Sequence, residues 1–175
     1  SLIIPTDLRD SRQVEQLVDT TIGHFHRIDA IINNAGWTIA ATIAQTNAHL
    51  LQEVFAVNAI APALIIARAW PTLEKLARAE TKGGVIVNIS SMATIDPFDT
   101  LYAYAAAKAS VNLLARSVAN TGRPLGIRGF SIAPGAVETQ LLRKVVDKAH
   151  LPTDQTLDPE TVAKVVVECV LGRRD

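Results

Sequence analysis

Residues 83–91 are the most informative stretch of the chain for its architecture, and they read Gly-Gly-Val-Ile-Val-Asn-Ile-Ser-Ser. The glycine pair ends the preceding segment, and residues 85–89 then form an almost continuous apolar run. A short run rich in β-branched residues is typical of a strand that is buried in a parallel sheet. Ser90 and Ser91 follow it, and ligands in such folds bind at the carboxyl ends of the strands. We therefore predict a buried strand with hydroxyl groups at the functional edge of its sheet.

Strand and helix patterns alternate on both sides of this stretch. The periodicity predicts these further elements: helices over about residues 11–26, 47–79 and 101–120, a last helix that begins at Pro159, and strands over residues 29–33 and 127–133. Residues 140–157 show no clear period. Because helices of this length act as crossovers between parallel strands, we expect an α/β fold whose parallel sheet is covered on both faces.

The composition points to one soluble domain over residues 1–175. Hydrophobic residues make up 49% of the chain, and 17 basic side chains balance 17 acidic ones. The basic residues do not form a stripe of the kind that binds nucleic acid, so we expect no nucleic-acid partner. The longest apolar stretch, residues 54–70, is interrupted by Asn58, Pro62 and Arg68, so we expect no membrane partner. The single cysteine, Cys169, cannot form an internal disulfide, which fits a cytoplasmic location.

Tyr104 and Lys108 are the main candidates for chemistry. Positions i and i+4 of a helix share a face, so the Lys108 ammonium is expected near the Tyr104 hydroxyl. A positive charge there lowers the pKa of a phenol from about 10 toward working pH. The alternative is a partly buried ring beside a solvated charge. Ser91, thirteen residues upstream of Tyr104, adds a hydroxyl that can hydrogen-bond a substrate oxygen.

Several motifs together resemble those of the short-chain dehydrogenase/reductase family over essentially the whole chain. In chain order they are Asp7, Asn33-Asn34-Ala35-Gly36, Asn58, Ser91, Tyr104-x-x-x-Lys108 and Pro134-Gly135-x-Val137-x-Thr139. The resemblance implies a Rossmann-like, doubly wound parallel sheet that binds NAD or NADP. It also implies an oxidoreductase that transfers a hydride between this cofactor and a carbonyl or secondary alcohol substrate.

The resemblance also implies a role for each motif residue. Tyr104 would be the general acid or base, Lys108 would lower its pKa and bind the nicotinamide ribose, and Ser91, rather than Ser90, would orient the substrate oxygen. Asn58 completes the catalytic set. The expected cofactor-binding residues are Asp7 at the adenine, together with Asn33, Ala35, Gly36, Tyr104, Lys108, Pro134, Gly135, Val137 and Thr139.

Asn58 also has a role that its neighbours suggest. Pro62 lies four residues later in the same predicted helix and has no N–H to donate, so the Asn58 carbonyl is left free. In the family this carbonyl holds a water that passes protons between the lysine and solvent. The alternative is a simple proline kink in a long helix.

One family feature is missing from the sequence. None of the nine glycines forms the glycine-rich turn that holds the cofactor's phosphates, and the strand that selects NAD or NADP has no counterpart. No counterpart of the last family strand follows Gly172. We therefore expect an internal part of a longer protein, lacking about the first two strands, and the sequence does not distinguish NAD from NADP.

Two other hypotheses remain open at this point. One is a non-catalytic regulatory or scaffold protein that binds a dinucleotide, and the other is a chain that is inactive by itself. By resemblance the long helices at about 47–79 and 101–120 would form contacts in a homodimer or homotetramer. Tyr102 would point away from Tyr104. The four histidines lack metal-ligand spacing, so we expect a small-molecule substrate and no metal.

Overall fold

The computed structural model describes residues 1–80 and 83–174, and over these ranges the chain forms six α-helices and a three-stranded parallel sheet. The strands are β1 (Ala30–Asn33), β2 (Val85–Ile89) and β3 (Arg128–Ile132), in the order β1-β2-β3. The helices are α1 (Ser11–Phe25), α2 (Ala48–Phe55), α3 (Ala61–Ala79), α4 (Tyr102–Gly122), α5 (Gln140–Val145) and α6 (Pro159–Val170). A π turn, Ala56–Ile60, joins α2 to α3. The predicted parallel α/β architecture is confirmed.

The register of the strands brings their carboxyl ends to one edge of the sheet. Asn33 of β1 pairs with Asn88 of β2, and Asn88 pairs with Ser131 of β3. The loops that follow the three strands therefore leave the sheet side by side. These loops carry most of the residues that the sequence motifs singled out.

One face of the sheet packs against α1, α3 and α4. Ile31 and Ile86 point to this face and are buried with Val18, Leu73 and Val118 from the three helices. The side-chain alternation of the strands explains this pattern, since paired residues of neighbouring strands share a face. This cluster is the main core of the protein.

The opposite face packs against α6. Val85 and Val87 are buried there against Cys169, and Arg128 donates to the carbonyl oxygens of Cys169 and Val170 at 2.8 and 3.3 Å. Those two carbonyls belong to the last turn of α6, where the Cys169 carbonyl oxygen also accepts from the Gly172 N–H at 3.3 Å. The expected coverage of both faces holds over β2 and β3, while Ile32 of β1 remains 43% exposed.

Gly129 sets how closely α4 approaches the sheet. A Cβ atom at this position would lie 2.4 Å from the Ala115 carbonyl oxygen and 2.8 Å from Cγ1 of Val118. Both atoms belong to α4, so any side chain at residue 129 would push the helix away from β3. The glycine at position 129 therefore allows α4 to pack closely against β3.

Helix α5 lies in the segment for which no period was found. Thr139 caps it, because its hydroxyl oxygen accepts a hydrogen bond from the Leu142 N–H at 3.2 Å. Its six residues make fewer than two turns, which is too short for a helical period to show. Residues 140–157, which show no clear period, therefore include one short helix.

The helical stretch Ala48–Ala79 is long and apolar enough to cross a membrane, judged by length and composition alone. Within its most apolar window, 44% of the residues are buried inside the domain. Core helices share this length and composition, and the stretch contributes Val54, Ile66 and Leu73 to buried clusters. We therefore interpret it as a core helix.

Candidate active site

Lys108 is a buried charged residue at the functional edge of the sheet. Only 3% of it is exposed, and its ammonium donates to the Ile89 carbonyl oxygen at 2.7 Å. Burial lowers the pKa of Lys108 from 10.5 to about 8, so the side chain is charged at neutral pH. The ammonium lies 5.7 Å from the centre of the Tyr104 ring, as the spacing of four residues requires.

The pKa of Tyr104 differs from the expectation. Burial raises the pKa of the Tyr104 phenol, and the Ser91 hydroxyl near it acts in the opposite direction. The expected lowering by Lys108 does not appear, because the ammonium is directed to the Ile89 carbonyl and not to the phenol oxygen. The prediction that Lys108 lowers the pKa of Tyr104 is therefore wrong for the structure as it stands, and the phenol is protonated at neutral pH.

Ser90 and Ser91 have different surroundings. The Ser90 hydroxyl is buried and donates to the Lys108 carbonyl oxygen at 3.1 Å, which fastens β2 to α4. The Ser91 hydroxyl oxygen caps a short 3-10 turn, Met92–Thr94, by accepting from the Ala93 N–H at 3.1 Å. Since Ser91 is the serine that reaches Tyr104, it fits the predicted position beside the phenol.

Asn58 holds the loop that follows β1. Its amide donates to the Trp37 carbonyl oxygen at 2.6 Å and to the Val54 carbonyl oxygen at 2.8 Å, and its side-chain oxygen accepts from the Trp37 N–H at 3.2 Å. It is fully buried in the π turn, four residues before Pro62. Turns of this kind are frequent at functional sites. Trp37 was not singled out from the sequence as a partner of Asn58.

Gly36 brings the backbone of this loop against the catalytic candidates. A Cβ atom at Gly36 would lie 3.2 Å from the Asn58 side-chain oxygen, 3.5 Å from the Lys108 ammonium and 3.9 Å from Cδ2 of Leu141. The first of these distances is tighter than an ordinary contact, so a side chain at residue 36 would press on the Asn58 amide. Gly36, Asn58 and Lys108 thus share one small space at the end of β1, with Leu141 of α5 beside them.

Asn33 is held inside the sheet edge by a residue that the sequence analysis did not include. The Asn33 amide donates to the Asn88 side-chain oxygen at 2.8 Å, and the Asn88 amide donates to the Val111 carbonyl oxygen at 3.1 Å. Both asparagines are buried. A polar residue within the apolar run 85–89 was the available signal, since a buried amide needs partners.

The segment after β3, which is expected to bind the cofactor, lies next to the loop after β2 at the same edge of the sheet. The Pro134 carbonyl oxygen accepts from the Met92 N–H at 2.9 Å, which joins this loop to the loop after β2. Val137 forms an isolated parallel bridge with Leu157, and Thr139 caps α5. The space in front of Gly135 is open, because an added Cβ atom would meet nothing within 4 Å.

Asp7 lies apart from this cluster in the contacts of the described residues. Its two carboxylate oxygens accept from the Arg9 guanidinium at 3.0 and 2.8 Å, and Arg9 also donates to Glu53 at 2.9 Å. These hydrogen bonds lower the pKa of Asp7 to about 2. An adenine amino group at Asp7 would have to share the carboxylate with Arg9.

The site can therefore supply a protonated phenol, a second hydroxyl beside it and a buried ammonium. Within residues 1–80 and 83–174, no group of three or more His, Cys, Asp or Glu side chains is placed to hold a metal ion. Groups of this kind can perform proton transfer by the phenol, with hydrogen bonding from the hydroxyl.

Comparison with known proteins places the chain among relatives of one family. The sequence model of the short chain dehydrogenase family matches residues 1–150. The putative ketoacyl reductase 2 of the granaticin polyketide synthase from Streptomyces violaceoruber is 29% identical over 97% of this chain and 70% of its own length. An uncharacterized oxidoreductase of Staphylococcus aureus (strain MW2) is 25% identical over 94% of this chain and 68% of its own length.

Solved structures share the fold. A 3-ketoacyl-(acyl-carrier-protein) reductase from Brucella melitensis, complexed with NADH, superposes with a TM-score of 0.87 at 23% identity, covering 96% of this chain and 70% of that one. A short-chain dehydrogenase from Streptomyces avermitilis gives a TM-score of 0.78 at 24% identity, covering 94% of this chain and 64% of that one.

Proposed function

Because the chain belongs to the short chain dehydrogenase family, we propose that it is an oxidoreductase that interconverts a carbonyl compound and a secondary alcohol with NAD or NADP. The observation that carries the proposal is the meeting of Tyr104, Ser91 and Lys108 at the carboxyl end of β2. The relative named as a ketoacyl reductase supports a carbonyl as the reacting group. We further propose that residues 1–175 are part of a single cofactor-binding domain.

Tyr104 supplies the proton in this proposal. Burial raises the pKa of its hydroxyl, so the group is protonated at neutral pH and can donate to a carbonyl oxygen as negative charge develops there. The Ser91 hydroxyl holds the same oxygen by a hydrogen bond. In the reverse direction the phenolate accepts the alcohol proton, and a higher pH favours that direction.

The residues around Gly36 fit the nicotinamide end of a dinucleotide. A side chain at Gly36 would fill the space beside the Lys108 ammonium, and the space before Gly135 is open. The bound cofactor would supply or accept the hydride. Lys108 would hold the ribose hydroxyls, Asn33, Ala35, Gly36, Pro134, Gly135, Val137 and Thr139 would line the cofactor, and Asp7 would meet the adenine after releasing Arg9.

Asn58 has two roles in the proposal. Its side chain fixes the loop at Trp37, which keeps Gly36 next to Lys108. Its main-chain carbonyl cannot receive a hydrogen bond from Pro62, which has no N–H, and we assign it a water that returns protons to the site.

Hydride transfer is tested with the purified protein, NADH or NADPH, and a panel of aldehydes and ketones. We expect the absorbance of the reduced nicotinamide to fall only when a carbonyl compound is present, with one equivalent of alcohol formed per dinucleotide consumed. Tight dinucleotide binding without consumption across the panel would instead favour the scaffold alternative. Running the panel with each dinucleotide also identifies the cofactor.

We propose that an apolar groove between α3 and α4 binds a second copy of the chain. The groove has a volume of about 720 Å³, and its lining residues carry no charge; they are Phe55, Ala59, Ile60, Ala63, Leu64, Ala67, Ser110, Leu113, Leu114 and Ser117. Ile60 is 50% exposed and Leu113 is 64% exposed. Apolar surface of this kind is typical of contacts between copies in homo-oligomers.

Leu113→Glu is expected to convert the oligomer to monomers, because it places a charge in the groove without disturbing the core. Sedimentation velocity measures the change. Leu171→Glu is the matched control, since Leu171 is 55% exposed at the end of α6, outside the groove. A wild-type protein that sediments as a monomer at all concentrations would contradict the proposal.

A further inference from the structure

The mouth of the proposed active site is lined by exposed apolar side chains. In the loop after β2, Met92, Ile95 and Phe98 are 42%, 75% and 57% exposed. In the loop after β1, Ile39 and Ile43 are 49% and 68% exposed. Apolar groups left in water at a site of this kind mark a binding surface for an apolar ligand.

Backbone hydrogen bonds join these loops into one rim. The Ala41 N–H donates to the Thr100 carbonyl oxygen at 2.9 Å, and Ala41 forms a parallel bridge with Leu101. The Met92 N–H donates to the Pro134 carbonyl oxygen at 2.9 Å. The loops after β1 and β3 are therefore each fastened to the loop after β2, which carries Ser91.

The loops of the rim that follow β1 and β2 also carry a net negative charge. Residues 33–47 and 89–107 contain no lysine, arginine or histidine. They contain two acidic residues, Asp96 and Asp99, and both are exposed in the loop after β2. A carboxylate or phosphate on a substrate would meet like charges there and no cation from these two loops.

The third side of the rim, around α5, carries charges of both signs. The Arg143 guanidinium is bound by the Glu138 carboxylate and donates to the Leu151 carbonyl oxygen at 2.7 Å. The charge of Lys148 helps to lower the pKa of the same Glu138 carboxylate, and the Asp147 carboxylate pairs with the His150 ring. Lys144 is exposed on the same helix.

Building on the proposed function, we propose that the substrate is a neutral alkyl or aryl ketone and that the rim discriminates against carbonyl compounds bearing a carboxylate or phosphate. The apolar side chains bury the substituent of the ketone, which contributes about fourfold in affinity per methylene group. Asp96 and Asp99 repel an anionic group on the same substituent. Selectivity thus arises in the loop after β2, next to the hydroxyl of Ser91.

The test uses a matched pair of probes that differ in charge, methyl 4-acetylbenzoate and 4-acetylbenzoate. Their dissociation constants are measured on the purified protein by calorimetry, in the presence of the oxidised dinucleotide, and their kcat/KM values are measured with the reduced one. We expect the neutral ester to bind at least about tenfold more tightly than the carboxylate at low ionic strength.

Charge variants identify the origin of the preference. The double variant Asp96→Asn, Asp99→Asn is expected to reduce the ester-to-carboxylate ratio of affinities several-fold. Glu15→Gln removes one exposed carboxylate from α1, away from the rim, and is expected to leave the ratio as it was. A ratio unchanged in the double variant would overturn the role of the two aspartates.

The binding measurement keeps this inference separate from the proposed reaction. If the carboxylate binds as tightly as the ester, the inference is overturned whether or not either probe is reduced. The ester can also bind more tightly than the carboxylate while neither probe, and no compound of the aldehyde and ketone panel, is reduced. In that case the oxidoreductase proposal fails, and the preference of the rim for neutral ligands stands.

Discussion

Tyr104→Phe should lower kcat for carbonyl reduction by about 10^2- to 10^4-fold, the usual contribution of a positioned proton donor. The substitution removes one oxygen atom and keeps the ring, which packs against the cluster of Ala41, Leu50 and Val54. Folding should therefore be preserved. Dinucleotide affinity, measured by fluorescence titration, should change little, because Lys108 and the backbone at Gly36 remain.

Tyr102→Phe is the matched control for this prediction. It removes the same oxygen from the same helix, two residues away, but Tyr102 is 47% exposed and points elsewhere. We expect its kcat to match that of the wild type. Equal turnover by the Tyr104 and Tyr102 variants would exclude Tyr104 as the proton donor.

Lys108→Met should remove a pH dependence from the stability of the protein. The pKa of Lys108 is about 8 in the folded chain and 10.5 in the absence of the fold, so the unfolded chain binds more protons between these values. The free energy of unfolding of the wild type should therefore rise with pH across this window, by about 3 kcal/mol from this group alone. As pH falls through 8 the contribution is lost, because the buried ammonium must then be charged.

Urea unfolding of both proteins at intervals from pH 7 to pH 10.5 measures this difference. Over this pH range we expect the free energy of unfolding of Lys108→Met to rise by about 3 kcal/mol less than that of the wild type, whatever the absolute stability of the variant. Lys75→Met, at an exposed position of α3, should leave the slope unchanged. Parallel curves for wild type and Lys108→Met would show that burial does not depress the pKa of Lys108.

The long elements of the fold were predictable because their signals are local. Helix α1 begins after Asp10, whose carboxylate accepts from the Arg12 N–H, and α6 begins with Pro159 after the cap Asp158. Helix α5 was missed because a six-residue helix has no period, although its cap Thr139 was visible in the sequence.

Which residues form the site was easier to predict from the sequence than their hydrogen bonds and pKa values. The spacing of Tyr104 and Lys108 fixes their shared face, but the direction of the ammonium depends on the Ile89 carbonyl, which belongs to a strand nineteen residues earlier. Burial, which sets the pKa of Tyr104, is likewise a tertiary property. The pairing of Asp7 with Arg9 competes with the role expected for Asp7, and a sequence motif cannot show that competition.

The close docking of α4 on β3 at Gly129 has a consequence for engineering. Tyr104 and Lys108 are carried by a helix whose position is set by backbone contact and by the Ser90 hydrogen bond, while the apolar rim lies on separate loops. The proposed proton donor and the proposed substrate-binding surface thus lie on different parts of the scaffold. The exposed side chains of Ile39, Ile43, Ile95 and Phe98 can therefore be exchanged to accommodate other ketones while Ala41, Tyr104 and Lys108, which are buried or partly buried, are left unchanged.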